Sequence, residues 1–491
     1  MKLTSQFSSA TRNFSLNDTG RKKLFNSTVV FLLLISSAVI GLLCVFSPWY
    51  YIIGFVVAIA FPIFIWIYPW AGIILYSIIS VILPDLKFAD VLTVVVLAIF
   101  WIKLIAVPVE NKLPDNYSKI LYIFYFFVFV SLILALIFFN NTIPYIYRDG
   151  RFFIYWLWFP VIYRLTNNSL DGFVKIGRTI VALTVFVVIF AIFQWITTIQ
   201  IIAGGRVASL ETNGQYDSSL TRVQMSGFVF VLMSIVWMIT AFVYEKKKWW
   251  QAGPVILILT LAIYVNFGRA LWFWTVAAVF FSFFFIGLGR LFKTLIALII
   301  MIISVMSLLN IFEPNAMTGA AERIMSISEE GGNRTSFGWR KLENELAIAN
   351  IIKSPIIGVG IGGEYRKWLG ELRTFEEHTR YVHNSYIFIA LKLGLPALII
   401  LLWLLVLSWI EGVRQLRTIP DQDRPLKIAA LSALPAILGL SSTQPELMNT
   451  FSIIFITIVM VILIHKKPST LDVQPEVKNA REPSYVKRLK I

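Results

Sequence analysis

Histidine is scarce in this chain: His378, His383 and His465 are the three in 491 residues. Two of them fall in "HTRYVHNSYIFIALKLGLPALIILLWLL", which runs from His378 into an apolar stretch long enough to cross a bilayer. Near neutral pH a histidine serves as a general base, a metal ligand or a hydrogen-bonding interfacial residue. His378 and His383 are five apart, which is not a helix-face pair, and the chain contains no H-E-x-x-H. Glu376 and Glu377 adjoin His378, but without a further His or Cys they make a poor zinc site. Base and interfacial roles stay open at this point.

Arginine is the second unusual group. Arg148, Arg151, Arg206, Arg222, Arg269, Arg323, Arg334, Arg340, Arg366, Arg373 and Arg380 all fall outside the apolar runs or at their outer boundary, and lysine is rare among them. Guanidinium is always charged and offers a rigid fork of donors, which suits a pyrophosphate. The bland reading of any one loop arginine is a pairing with one of the nearby glutamates. Arg269, in "YVNFGRALWFWTV", has apolar residues on both sides. An ionisable residue there is a functional candidate, with snorkelling to the headgroups as its structural counterpart.

These residues need a membrane scaffold to position them. Hydrophobic residues make up 58% of the chain, charged ones 14%, and the mean hydropathy is +0.77, which excludes an ordinary soluble domain. The expected fold is an all-α polytopic membrane protein of about 12–14 transmembrane helices, with a large extracytoplasmic loop that contains an amphipathic helix. Apolar runs place spans near 29–46, 50–67, 71–83, 89–107, 119–139, 152–165, 173–202, 223–244, 252–266, 268–288, 291–312, 385–410, 428–443 and 449–465. Loops on the side of the N-terminus carry "RKK", "EKKKWW" and "EGVRQLRTIPDQDRPLK", so that side is expected to be cytoplasmic, with both termini there. The organisation is then a basic N-terminus (1–28), a helix bundle (29–312), an extracytoplasmic loop (313–384), C-terminal helices (385–465) and a cytoplasmic tail (466–491). The leader reads as uncleaved, since its apolar core continues into a second run with no small-x-small site.

Several function classes drop out. The net charge of +16 is distributed in short loops between spans, as topology demands, so nucleic acid is not expected as a partner. The single cysteine, Cys44, rules out a disulfide framework and a cysteine metal site. There is no G-x-x-x-x-G-K-S/T, which argues against an ATP-driven pump. Gly358, Gly360 and Gly363 satisfy G-x-G-x-x-G formally, but a helix precedes them where a dinucleotide fold needs a strand. They are expected to let backbone approach a neighbour or a ligand. Asp421 and Asp423 lie in a charged loop beside prolines and read as solvated.

Within the external loop the spacing predicts a helix from about Ser336 to Lys353, ended by Ser354-Pro355. Trp339, Leu342, Leu346, Ala349 and Ile352 are expected on its apolar face, with Arg340, Lys341, Glu343 and Glu345 on the other sides.

Three stretches together resemble the O-antigen ligase and O-antigen polymerase superfamily of bacterial envelope proteins. "HNSYIFIALKLGLPALIILL" is similar to its His-Asn-x-Tyr-Leu element and Gly-Leu step into a span. "RKLENELAIANIIKSPIIGVGIG" is similar to its Arg–helix–Pro–x–x–Gly–x–Gly segment, and "NFGRALW" to its Ser-Arg-Gly span start. The order of the three, covering roughly 180–410, also fits. This chain departs in having Lys392 where many relatives have Glu, and Gly268 in place of Ser.

The resemblance implies an integral-membrane glycosyltransferase of the bacterial cytoplasmic (inner) membrane. It would move glycan from a polyprenyl-diphosphate-linked donor to a sugar acceptor, either lipid A–core or a lipid-linked repeat unit, without metal or cofactor. Membrane lipids and a chain-length regulator are its further expected partners. Carried over, His383 deprotonates the acceptor hydroxyl, and Arg269 and Arg340 hold the diphosphate. Arg206, Arg334, Arg380 and Asn384 are expected to contact substrate. The competing classes are a transporter of a small anion such as bicarbonate or of a lipid-linked sugar, and a glycan-binding sensor. A transporter should carry charges deep in several spans and repeated halves, and neither is evident.

Overall fold

A computed structural model describes residues 60–465 apart from short stretches at 83–85, 107–111, 167–169, 203–204, 213–214 and 245–248, scattered positions between 288 and 307, and the segments 308–335 and 368–378. The chain divides into two compact units, 1–68 and 69–491. Of the first, residues 60–67 are helical. The predicted spans at 29–46 and 291–312, and His378, Arg323, Arg334 and Arg373, lie outside the described residues or among their gaps.

The second unit is a helical membrane bundle. Its elements are α1 Pro69–Ile82, α2 Leu86–Ala106, α3 Asp115–Ile137, α4 Ile143–Ile154, α5 Trp158–Thr166, α6 Leu170–Thr197, strands β1 Arg206–Thr212 and β2 Gln215–Gln224, α7 Phe228–Tyr244, α8 Trp249–Tyr264, α9 Arg269–Ile286, α10 Ser336–Lys353, α11 Ser385–Leu393, α12 Leu395–Gln415, α13 Arg424–Leu440 and α14 Thr450–Ile464. Among the described residues α3, α6, α9 and α12 are long and apolar enough to cross a membrane, and α1, α2, α7, α8 and α14 are shorter apolar helices. The centre is α7, α13 and α14. Their residues are buried nearly all round, and α7 packs on α13 while α14 packs on α12, α13 and α5. The long spans leave large apolar side chains such as Phe126, Phe129, Phe273 and Phe284 uncovered, as a lipid-facing surface requires. Lipid tails are as apolar as leucine, so close packing and polar contacts hold such helices together.

Three local structures depart from the expectations. The run 140–165 is not a loop followed by one short span. It is the amphipathic α4, a 3-10 turn at Tyr155–Leu157 and the buried α5. The predicted span at 385–410 is broken into α11 and α12 at Gly394, which has φ +88°. There the backbone closes against the Ser354-Pro355 turn: Leu395 N donates to the Pro355 carbonyl at 2.8 Å, and a Cβ on Gly394 would run into the Ile356 carbonyl oxygen. The segment 206–224, placed by the sequence in a loop running to a span from 223, forms an antiparallel hairpin with Arg206 opposite Gln224 and an irregularity between Ser209 and Leu210.

The glycine-rich segment approaches protein. Val359 N donates to the Leu391 carbonyl at 2.8 Å, and Gly358 (φ +63°) leaves room for that same carbonyl of α11, which a Cβ would strike. Beneath it lies a sealed ion pair. Lys392 Nζ stands 2.8 Å from Asp149 Oδ2 and donates to the Gly363 carbonyl at 2.6 Å, while Gly362 N donates to the same Asp149 oxygen at 2.9 Å. Lys392 thus has a carboxylate partner on α4, which explains how a lysine is held at the Gly step.

Candidate active site

α10 forms over Ser336–Lys353 as the spacing predicts, and Ser354 ends it by returning its N–H to Asn350. Its rotational phase is not the predicted one. Glu343, Ala347 and Ile351 are buried, whereas Ala349 and Ile352 are exposed. Hydrophobicity misleads here because a helix at a membrane boundary has apolar surroundings on more than one side. Glu343 therefore faces inward. Its Oε1 accepts from Trp339 Nε1 at 2.9 Å, one turn earlier, and its Oε2 stands 2.8 Å from His383 Nδ1.

His383 is placed by the segment leading into α11. Tyr365 N donates to the Thr379 carbonyl at 3.1 Å, and the Tyr365 hydroxyl donates to the Tyr381 carbonyl at 3.1 Å. Tyr381 meets the His383 ring edge-on, with centroids 5.1 Å apart. Burial, with Glu343 adding, pushes the Tyr381 hydroxyl pKa well up, so that phenol stays protonated.

Arg269 is placed by a different device. β2 clips onto the turn between α8 and α9: Val223 N donates to the Val265 carbonyl at 3.0 Å, Asn266 Nδ2 to the Val223 carbonyl at 3.1 Å, and Arg222 Nε to the Asn266 carbonyl at 3.0 Å. Phe267 within this turn has φ +49°, a left-handed conformation that costs about 1–2 kcal/mol for a side chain of this kind. Its fully buried ring, against Tyr264 and Trp272, holds it there. Arg269 is then the first residue of α9.

His383, Arg269, Arg340 and Arg206 line one cavity of about 730 Å³. Arg222 lines it too, a residue the sequence marked as external without a role. The N-terminal ends of α7, α9 and α14 also open on it through Gly227, Gly268 and Asn449. Helix N-termini carry a partial positive charge, which adds to the four guanidinium groups; at α14 the Asn449 side chain already accepts from Phe451 N and Ser452 N. One carboxylate stands in the lining, Glu446, which accepts a hydrogen bond from Ser452 Oγ. Burial raises the Glu446 pKa above the ordinary carboxylate range. The site is strongly electropositive, with a base candidate at one wall, and its size lies within the ~300–1,000 Å³ usual for small-molecule sites.

Two expected contacts are placed elsewhere. Arg380 forms an ion pair with Glu364, donates to the Gly362 carbonyl at 3.1 Å and covers the Tyr145 ring at 3.6 Å from its centroid. Asn384 caps α11, its Oδ1 accepting from Tyr386 N at 3.0 Å and Ile387 N at 3.2 Å. Neither is in the cavity lining, and both are engaged in holding the approach to α11. His465, at the end of the last predicted span, caps α14 and stacks on Phe173 with centroids 5.5 Å apart.

Fold and cavity together define a multi-pass membrane protein with an arginine-lined cavity bordered by a histidine. Residues 254–402 match the family model described as O-antigen ligase. The resemblance to the O-antigen ligase and polymerase superfamily therefore holds over the stretch from α8 into α12, which includes Arg269, Arg340 and His383. The spanning helices make the chain a multi-pass membrane protein, and its residues 254–402 are similar to a family of glycan-transferring enzymes. No curated protein matches the chain.

Proposed function

We propose that the cavity transfers glycan from a polyprenyl-diphosphate-linked donor to an acceptor sugar hydroxyl at the outer face of the cytoplasmic membrane. The observation that carries this reading is the convergence of Arg206, Arg222, Arg269 and Arg340 with His383 on one cavity. Those residues come from the hairpin, α9, α10 and the approach to α11, elements far apart in sequence. A diphosphate is the ligand chemistry that four guanidinium groups and three helix N-termini suit best.

In the reaction the acceptor oxygen bonds to the anomeric carbon of the donor sugar as the bond from that carbon to the phosphate oxygen breaks. The hydroxyl proton passes to His383, and the leaving diphosphate takes the electron pair. Arg269 and Arg340 stabilise the charge that grows on it, and Arg206 and Arg222 extend the positive wall. The acceptor is a lipid A–core sugar in a ligase and a second lipid-linked repeat in a polymerase.

The test is the surface and lipid-linked glycan of a deletion strain complemented with wild type, His383→Ala or Arg269→Gln at matched membrane levels. Loss of long surface glycan with both variants supports transfer at this site. Single lipid-linked repeats accumulating then identify a polymerase, and long lipid-linked chains a ligase. Full glycan from His383→Ala overturns the reading.

A further inference from the structure

We infer that Glu343 is the positioning residue for His383, fixing which ring nitrogen acts as base; this rests on the transfer reading above. Trp339 Nε1 can only donate, so Oε1 of Glu343 accepts, at 2.9 Å. Oε2 of the carboxylate then accepts from His383 Nδ1 at 2.8 Å, which requires the ring proton to be on Nδ1. The other nitrogen, Nε2, keeps its lone pair.

Exposure gives the same direction. The Glu343 side chain is 2% exposed and the His383 side chain 35%, so the open part of the imidazole is the edge away from the carboxylate. His383 lines the cavity while Glu343 does not. The proton path is closed and balanced. The acceptor hydroxyl gives its proton to Nε2, the Nδ1–H stays on the ring, and the resulting imidazolium rests against the carboxylate. Glu343 itself neither takes the proton nor touches substrate.

The same helix couples the two halves of the reaction. Arg340 and Glu343 are three residues apart on α10, so they project from neighbouring positions on its surface. Arg340 reaches the cavity and Glu343 the histidine behind it. One rigid element thereby sets both the diphosphate side and the base, with Trp339 holding Glu343 from the preceding turn.

Three histidines in the chain make this directly readable. Full-length protein in lipid nanodiscs, labelled with ¹⁵N-histidine, gives three imidazole spin systems, and His383→Gln identifies the one that disappears. The expected neutral form of His383 is the Nδ1–H tautomer, and Glu343→Gln should lower its ratio to the Nε2–H form by about tenfold or more. In the complemented strain Glu343→Gln should cut surface glycan strongly at an unchanged membrane level. An Nε2–H tautomer in the wild-type protein overturns the inference without any variant, so a Glu343→Gln chain that fails to insert does not shield it. An unchanged tautomer and full glycan in Glu343→Gln, with His383→Ala inactive, overturns the positioning role and leaves the transfer reading standing. Full glycan from His383→Ala overturns both, whatever the tautomer.

Discussion

Two nitrogen–carboxylate pairs flank the start of the last spans, and they have the same length. His383 stands 2.8 Å from Glu343, and Lys392 stands 2.8 Å from Asp149. In the second pair the side chains are 0% and 9% exposed, and backbone groups of the glycine turn complete the set. In the first pair one member is equally buried but the other opens onto the arginine-lined cavity. A sealed pair can only hold structure together. A pair sealed on one side transmits orientation to a group that still meets substrate.

Removing the open member should break function alone. His383→Ala is expected to lower glycan transfer by roughly 10²–10⁴-fold, the span usual for a lost general base. Its membrane level should stay near wild type and its melting temperature should fall by only a few degrees, because the ring borders a cavity from which water can replace it as the donor to Glu343 Oε2. A collapse in protein level with His383→Ala would erase the distinction between the two pairs.

The sealed pair should behave in the opposite way. Asp149→Asn or Lys392→Met alone leaves a charge buried, at a cost of about 3–5 kcal/mol, and the protein should be lost from the membrane with its activity. Asp149→Leu combined with Lys392→Met removes both charges and should recover much of the folded protein, read as a monodisperse peak and a restored melting temperature in detergent. Equal damage from single and double replacement would mean that the charges do more than pin the turn at 358–363.

A third carboxylate sharpens the comparison through pH. Burial raises the Glu446 pKa, so folding favours its neutral form. That contribution is complete below the ordinary carboxylate range and is lost as pH rises through the raised folded value. Glu446→Gln stays neutral at every pH. Its melting temperature should therefore equal wild type in acid and move above it as pH rises. A variant less stable than wild type at neutral pH would show that the ionised carboxylate is held favourably in the cavity.

Most of the spans among the described residues, and the extent of the helix at 336–353, were legible because apolar length and period report burial in a bundle. His383 and Arg269 stood out by scarcity and setting. Glu343 did not, since a glutamate between Leu342 and Asn344 on a boundary helix gives no sign of facing inward; its spacing of four from Trp339 is the one local clue. The hairpin escaped because "RVASLETNGQYDSSLTRVQ" has no alternating apolar face, although Asn213-Gly214 is a hairpin turn signal. Arg222 was invisible with it, as its approach to the cavity depends on β2 clipping onto the turn before α9. Arg380 and Asn384 were drawn into the candidate site by proximity to His383 in sequence, while their side chains turn to Glu364 and to the start of α11.

Asn384 gives the smallest effect and a discriminating one. A cap contributes about 1 kcal/mol, and Asn384→Ala leaves Tyr386 N and Ile387 N without their side-chain acceptor. The melting temperature should fall by a few degrees, with Asn384→Ser or Asn384→Asp restoring most of it, because both offer an acceptor in the same place. Transfer normalised to folded protein should stay within a few-fold of wild type, since His383 is held from the other direction by Glu343 and by the Tyr365 contacts to the chain before it. A normalised loss as deep as that of His383→Ala, unrescued by serine, would assign the Asn384 amide to substrate and move the boundary between the structural and the reactive side of this segment by one residue.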